Sequence, residues 1–228
     1  MIQSIIMDKY LLVYNALLSL YGEPSWRQPL SPVDELVNTI LSQNTNDANR
    51  DVAFDRLGAR FASWEAVRDA PTAEVVEAIR PAGLAPQKGP RIQNALRTIS
   101  QQQGIMSLDF LAELPLEEAR RWLLALPGVG PKTAAIVLLF SFGRPAFPVD
   151  THVHRVTRRL GLTPLNMSAE RAHPHLEQVA PPEHFFSLHL NLIRHGRQVC
   201  RARNPKCQSC RLQEYCNHYQ TLQPPEKN

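Results

Sequence analysis

Apolar residues recur at intervals of three and four along nearly the whole chain, and sustained apolar/polar alternation is almost absent. The first spacing lines one face of a helix and the second lines a strand, so the sequence predicts an all-α fold. Met1 to Tyr21 reads as a buried helix ended by Gly22 and Pro24. The clearest stripe is Val33, Leu36, Val37, Ile40 and Leu41, behind a Ser31-Pro32 cap and first-turn pair. Phe54, Leu57 and Phe61 mark another helix, and Ala66, Val67 and Ala70 a short one. Thr72 is expected to cap a helix carrying Val75, Val76 and Ile79. Ile92, Leu96 and Ile99 mark the next, followed by helices over Leu116–Leu126, Pro131–Phe142, Val149–Leu160 and Glu183–Gly196. Pro131–Phe142 is almost wholly apolar and is predicted to be buried. The tail from Gln223, with Pro224 and Pro225, is expected to fray.

A length of 228 residues fits one large domain or two small ones, and 43% hydrophobic residues excludes general disorder. A mean hydropathy of −0.27 and the lack of a long apolar run exclude an integral membrane protein. No small-x-small cleavage site precedes Gly22, so no export signal is read and a cytoplasmic location is expected. The net charge is only +4, but it is uneven. Between Asp150 and Arg211 ten Lys and Arg face four Asp and Glu. A basic C-terminal third beside a near-neutral body suggests a polyanionic partner.

All four cysteines, Cys200, Cys207, Cys210 and Cys216, fall in one short C-x6-C-x2-C-x5-C segment. Four thiolates so close in sequence can converge on one closed, four-coordinate centre, either Zn²⁺ or an iron–sulfur cluster. In a reducing compartment this reading outranks a disulfide pair. Arg201, Arg203 and Lys206 lie between the first two cysteines, on a loop such a centre would fix, and are read as phosphate contacts.

The string Leu126-Pro127-Gly128-Val129-Gly130-Pro131-Lys132-Thr133-Ala134 joins two helical segments. Pro127-Gly128 makes a tight turn, Gly130 is expected to take a backbone conformation closed to other residues, and Pro131 suits a first helical position. The turn then presents amides at a helix N-terminus, where a phosphate binds. Lys132 sits where the positive end of the helix dipole disfavours an ammonium, which helps supply a neutral, nucleophilic amine. Asp150, in Val149-Asp150-Thr151-His152, reads on its own as a helix N-cap. Paired with Lys132 it becomes a carboxylate able to stabilise a developing oxocarbenium ion. His154, His184, His189 and His195 are read as surface or packing residues, with no second metal site, and His152, inside the Val-Asp-Thr-His string, as a residue near the candidate site with no chemical role assigned.

Taken together, the glycine hairpin, the Val-Asp-Thr-His string and the cysteine spacing resemble the endonuclease III family of helix-hairpin-helix DNA glycosylases, from about Pro32 to Cys216. The resemblance implies two helical domains flanking a DNA-binding cleft. One is a six-helix bundle over residues 31–145; the other combines 1–30 with 146–228 and carries a [4Fe-4S] cluster on the four cysteines. It implies Lys132 as the nucleophile of a glycosylase with AP lyase activity and Asp150 as its catalytic carboxylate, with Gly128 and Gly130 holding a phosphate. The implied substrate is an oxidised pyrimidine, or an abasic site, in duplex DNA, and the implied enzyme is a monomer with no membrane partner. Ser42–Asp47 resembles the loop whose side chain fills the hole left by the extruded base, with Gln43 or Asn44 as the wedge. Leu84 resembles the wedge from the other side, and Lys88 in the same segment is expected to contact DNA. Ala85-Pro86 stands where the family often has an aromatic-Asn pair. A monofunctional glycosylase for uracil, mismatched thymine or alkylated bases, or a non-enzymatic DNA-structure-binding module, is the alternative.

Overall fold

The computed structural model describes residues 2–25 and 30–222, with side chains from Met7 onward. The tail from Gln223 lies outside the described residues. Among the described residues there are α-helices and short 3-10 turns but no strand. The helices are α1 (Ile2–Tyr21), α2 (Pro32–Leu41), α3 (Asp47–Arg60), α4 (Trp64–Asp69), α5 (Thr72–Ala78), α6 (Ala85–Gln103), α7 (Leu116–Leu124), α8 (Pro131–Phe142), α9 (Thr151–Leu160), α10 (Ala169–Val179), α11 (Phe185–Gln198) and α12 (Asn217–Gln220). None of them is long and apolar enough to cross a membrane. The chain forms two compact units, one of Gln28–Arg144 and one of Met1–Arg27 with Pro145–Asn228.

In the continuous unit, α2 packs on α8. Helix α2 starts where the Ser31 hydroxyl accepts the Asp34 amide at 3.2 Å, and Asp34 and Glu35 in the first turn suit the dipole. Its stripe of Val33, Leu36, Val37, Ile40 and Leu41 is buried throughout. Facing it, α8 buries Ala134, Ala135, Val137, Leu138 and Leu139. Each large aliphatic side chain withdrawn from water here contributes about 1.5–3 kcal/mol. Thr72 departs from expectation: Pro71 stands at the cap of α5, and the Thr72 hydroxyl donates to Gln93 Oε1 at 2.7 Å. It holds α5 to α6 instead of ending a helix.

The discontinuous unit joins the two ends of the sequence. Tyr10, Val13, Tyr14 and Leu17 of α1 are buried where α1 packs on α11. Helix α9 also packs on α11, and closely: a Cβ on Gly196 would lie 2.9 Å from the His152 Cβ. Helix α10 has no counterpart in the periodicity reading, because Pro174 sits inside it. A proline there removes one backbone donor, but the Ser168 cap and the buried Ala172, His173, Leu176 and Val179 hold the helix.

Candidate functional site

The hairpin after α7 owes its shape to one glycine, and not the expected one. Gly128 has φ +81, and a Cβ there would come 2.7 Å from Arg91 Cδ. Gly130 has φ −103 and ψ 179, which any residue adopts, and nothing lies within 4 Å of where its Cβ would be. Gly130 is the N-cap of α8, Pro131 the first helical residue and Lys132 the second, half-buried. The first turn of α8 therefore presents its amides beside a cap with no side chain.

Two loops of the same unit hold the expected wedges. In Ser42–Asn46, Asn44 is exposed and has φ +52. Gln43 is half-buried and donates its side-chain amide to the Gly128 carbonyl at 3.1 Å, so this loop is bonded to the hairpin. Leu84 stands in the left-handed region at φ +51, ahead of α6, and is 43% exposed. Lys88 corrects its expected role as a surface DNA contact. It is 1% exposed, and its Nζ donates to the carbonyls of Leu41 at 2.7 Å and Ala82 at 2.8 Å. Burial pulls its pKa down to about 8.

In the other unit, Asp150 is the N-cap of α9, with its Oδ1 accepting the Val153 amide at 2.7 Å. The extended run leading to it is clamped at three points. Glu177 Oε1 accepts the Phe147 amide at 2.8 Å. His173 Nδ1 lies 2.8 Å from the Phe147 carbonyl, and His189 Nδ1 lies 2.9 Å from the Pro148 carbonyl. Both imidazoles are buried. These residues fix the backbone on the approach to Asp150, a role that spacing alone gives no sign of.

The cysteine segment is gripped by α9. Arg155 Nε donates to the Cys200 carbonyl at 2.9 Å and Nη2 to the Gly196 carbonyl at 2.9 Å. One turn on, Arg159 Nη1 donates to the Arg201 carbonyl at 2.7 Å and lies 3.4 Å from Cys200 Sγ. Both arginines belong to the basic excess read as a polyanion surface, yet both guanidinium groups are turned to protein acceptors. Their spacing of four residues on one helix is the signal that marks them as a pair. Arg201, Arg203 and Lys206, by contrast, are exposed on the loop they hold.

Cys200, Cys207, Cys210 and Cys216 all line one pocket, with Val156, Leu160 and Val199 forming its apolar side. The Leu212 amide donates to Cys210 Sγ and the Tyr219 amide to Cys216 Sγ, each at 3.4 Å. Burial pushes the Cys210 and Cys216 thiols up, and the neighbouring cysteines raise them further. Thiolates crowded in this way need a positive centre among them, and N–H groups aimed at sulfur are the surroundings such a centre uses. His195, 2% exposed, has its Nε2 3.6 Å from Cys210 Sγ and its Nδ1 3.0 Å from the Tyr21 hydroxyl. Burial pulls its pKa down to about 4, so the ring is neutral at physiological pH. Among the described residues, no three His, Cys, Asp or Glu groups are disposed to hold a single metal ion.

Residues 37–182 match the HhH-GPD superfamily of base excision DNA repair proteins, and residues 200–216 match the iron–sulfur binding domain of endonuclease III. Endonuclease III of Thermotoga maritima is 32% identical over 196 residues, covering 86% of this chain and 87% of that one. The chain belongs to the endonuclease III family. A putative DNA glycosylase of Arabidopsis thaliana is 38% identical over 170 residues, which are 75% of this chain and 58% of that longer protein. Among solved structures, a trapped covalent intermediate of an endonuclease III with DNA is similar with a TM-score of 0.80. It is 28% identical, and the match covers 95% of this chain and 98% of that one. All four cysteines of this endonuclease III family member fall within its iron–sulfur binding domain.

Proposed function

We propose that the chain is a DNA glycosylase with AP lyase activity that removes oxidised pyrimidines from duplex DNA. The observation that carries this reading is Lys132, a primary amine on the first turn of α8, two residues after a side-chain-free cap, in a chain of the endonuclease III family. An amine at the positive end of a helix is biased toward its neutral, nucleophilic form.

The reaction follows from these groups. The damaged nucleotide leaves the stack. As the glycosidic bond weakens, Asp150 stabilises positive charge at C1′. Its cap bond occupies one carboxylate oxygen and leaves the second for that purpose. The Lys132 amine attacks C1′, the base departs with the bonding electron pair and takes a proton, and the sugar ring opens to an imine. Loss of a proton from C2′ then drives out the 3′ phosphate, which cuts the strand. The first-turn amides of α8 and the hairpin at Gly128 and Gly130 hold a phosphate. Asn44, exposed at its loop tip while Gln43 is engaged with the hairpin, fills the hole from one side, and Leu84 fills it from the other. Arg201, Arg203 and Lys206 add backbone contacts.

Cys200, Cys207, Cys210 and Cys216 hold a [4Fe-4S] cluster, which supplies a fixed cross-link for the loop that carries these cations. The test is a panel of damaged duplexes incubated with borohydride. Wild type is expected to become covalently attached to DNA bearing an oxidised pyrimidine, and Lys132→Ala to lose the adduct. A wild type that excises the base yet never traps would reject the lyase step.

A further inference from the structure

Lys88 is the least expected group in the continuous unit. A lysine is seldom buried, and when it is, a carboxylate usually accompanies it. Here the ammonium donates to two backbone carbonyls. Leu41 is the last residue of α2, where the negative end of the helix dipole favours a cation, and the Ser42–Asn46 loop leaves from it. Ala82 lies two residues before Leu84. The Lys88 backbone amide also donates to the Leu84 carbonyl at 2.9 Å, so this residue holds the Leu84 loop from two directions.

Both loops end in disfavoured backbone. Three described residues other than glycine have positive φ: Asn44, Leu84 and Asn204. Two of these are the tips of the loops rooted on Lys88. Such conformations persist only where the surroundings over-determine them, and they cluster where ligands are gripped. An apolar side chain of the same length would fill this space at lower desolvation cost, so packing alone does not account for an ammonium here.

We propose that Lys88 is a positioning residue that fixes the Asn44 and Leu84 loops relative to each other, so that both wedges enter the duplex around one extruded nucleotide. The inference rests on the reading of Asn44 and Leu84 as wedges. Lys88 touches neither DNA nor the reacting atoms. It sets the distance between two loops that must act at one base pair. The Gln43 bond to Gly128 extends the same frame to the hairpin, so the three segments are hydrogen-bonded into one surface.

The experiment compares the full-length wild type with Lys88→Met, which keeps the stem and removes the donors. One substrate is a duplex with an oxidised pyrimidine opposite 2-aminopurine, whose fluorescence rises on unstacking. The other is a single-stranded abasic oligonucleotide, which needs no wedge. Lys88→Met is expected to slow duplex excision by about tenfold or more, the rate equivalent of one charge-assisted hydrogen bond, and to blunt the fluorescence rise. Single-strand cleavage should stay within about twofold of wild type, a change too small to represent a lost hydrogen bond. In the Leu84→Ala background the same substitution should add little further loss, because two changes acting through one element are not additive. Should Lys88→Met not fold, Lys88→Leu, which also removes the donors, carries the same measurements. Equal losses on both substrates, or additive losses with Leu84→Ala, would make Lys88 a general stabiliser and overturn the proposal. A normal duplex rate in a folded variant would overturn it too. A wild type inactive on every duplex would instead bring down the functional reading beneath it.

Discussion

The two glycines of the hairpin should respond in opposite ways to the same added methyl. At Gly128, φ is +81, so alanine forces a left-handed residue, costing about 1–2 kcal/mol. The new Cβ would also sit 2.7 Å from Arg91 Cδ, 3.0 Å from its Cγ and 3.3 Å from its Cβ, contacts that reach the root of that side chain, so crowding adds to the backbone cost. For a chain of this size such a loss lowers Tm by about 2–8 °C. At Gly130 the backbone is extended and nothing lies within 4 Å of the added atom. Alanine there restricts the unfolded chain, worth about 0.4–1 kcal/mol, but is a poorer N-cap than glycine by a similar amount, so stability should change little. What it obstructs is the approach of a phosphate to the first turn of α8, so duplex affinity should fall by about tenfold, one hydrogen bond's worth. Thermal unfolding followed by circular dichroism, with fluorescence anisotropy on an abasic duplex at fixed salt, separates the two effects. If Gly130→Ala melts as early as Gly128→Ala, or binds duplex as tightly as wild type, the assignment of turn geometry to one glycine and phosphate approach to the other is wrong.

His189→Leu removes the bond to the Pro148 carbonyl and should cost about 1–3 kcal/mol of stability. It should slow single-turnover excision while duplex affinity holds, because the change falls on the backbone that places Asp150. Arg159→Met removes the donor from the Arg201 and Cys200 acceptors and should hasten the loss of visible absorption when iron is challenged with a chelator; an unchanged bleaching rate would deny the grip. Lys88 gives a pH signature. Its folded pKa is lowered from 10.5 to about 8, so between those values the unfolded chain binds the proton and the folded chain does not. Stability should therefore rise with pH across that window relative to Lys88→Met, and denaturant titrations at both ends would expose a flat difference if the amine were solvated.

Much of this molecule was legible where one physical rule acts alone. Ser31 and Pro32 start α2 as expected, and the run Pro131–Phe142 is a buried helix because a segment apolar all round has no other stable place. The four cysteines declared a shared centre by spacing. Legibility failed where a residue answers to partners distant in sequence. Lys88 reads as a surface cation because its type nearly always is one, and only the fold brings the Leu41 carbonyl to it from 47 positions away. Pro174 hid α10 because local propensity outweighs, in a sequence, the tertiary packing that overrides it in the protein. The histidines beside Phe147 and Pro148 looked idle since their acceptors are backbone carbonyls, which carry no sequence signature. Gly130 was assigned the strain that belongs to Gly128 because two neighbouring glycines do not reveal which one bears the turn.

The pairing of α1 with α11 also sets an order in time. The Tyr10 hydroxyl reaches His184 Nδ1 at 2.7 Å across 174 positions of chain. Helix α1 is made before Gln28–Arg144 and its partner α11 after it, so this pairing waits until the whole continuous unit has been synthesised. A chain halted after Arg144 would carry the continuous unit with Tyr10, Val13 and Leu17 of α1 still uncovered, and apolar surface left open in this way is prone to aggregate.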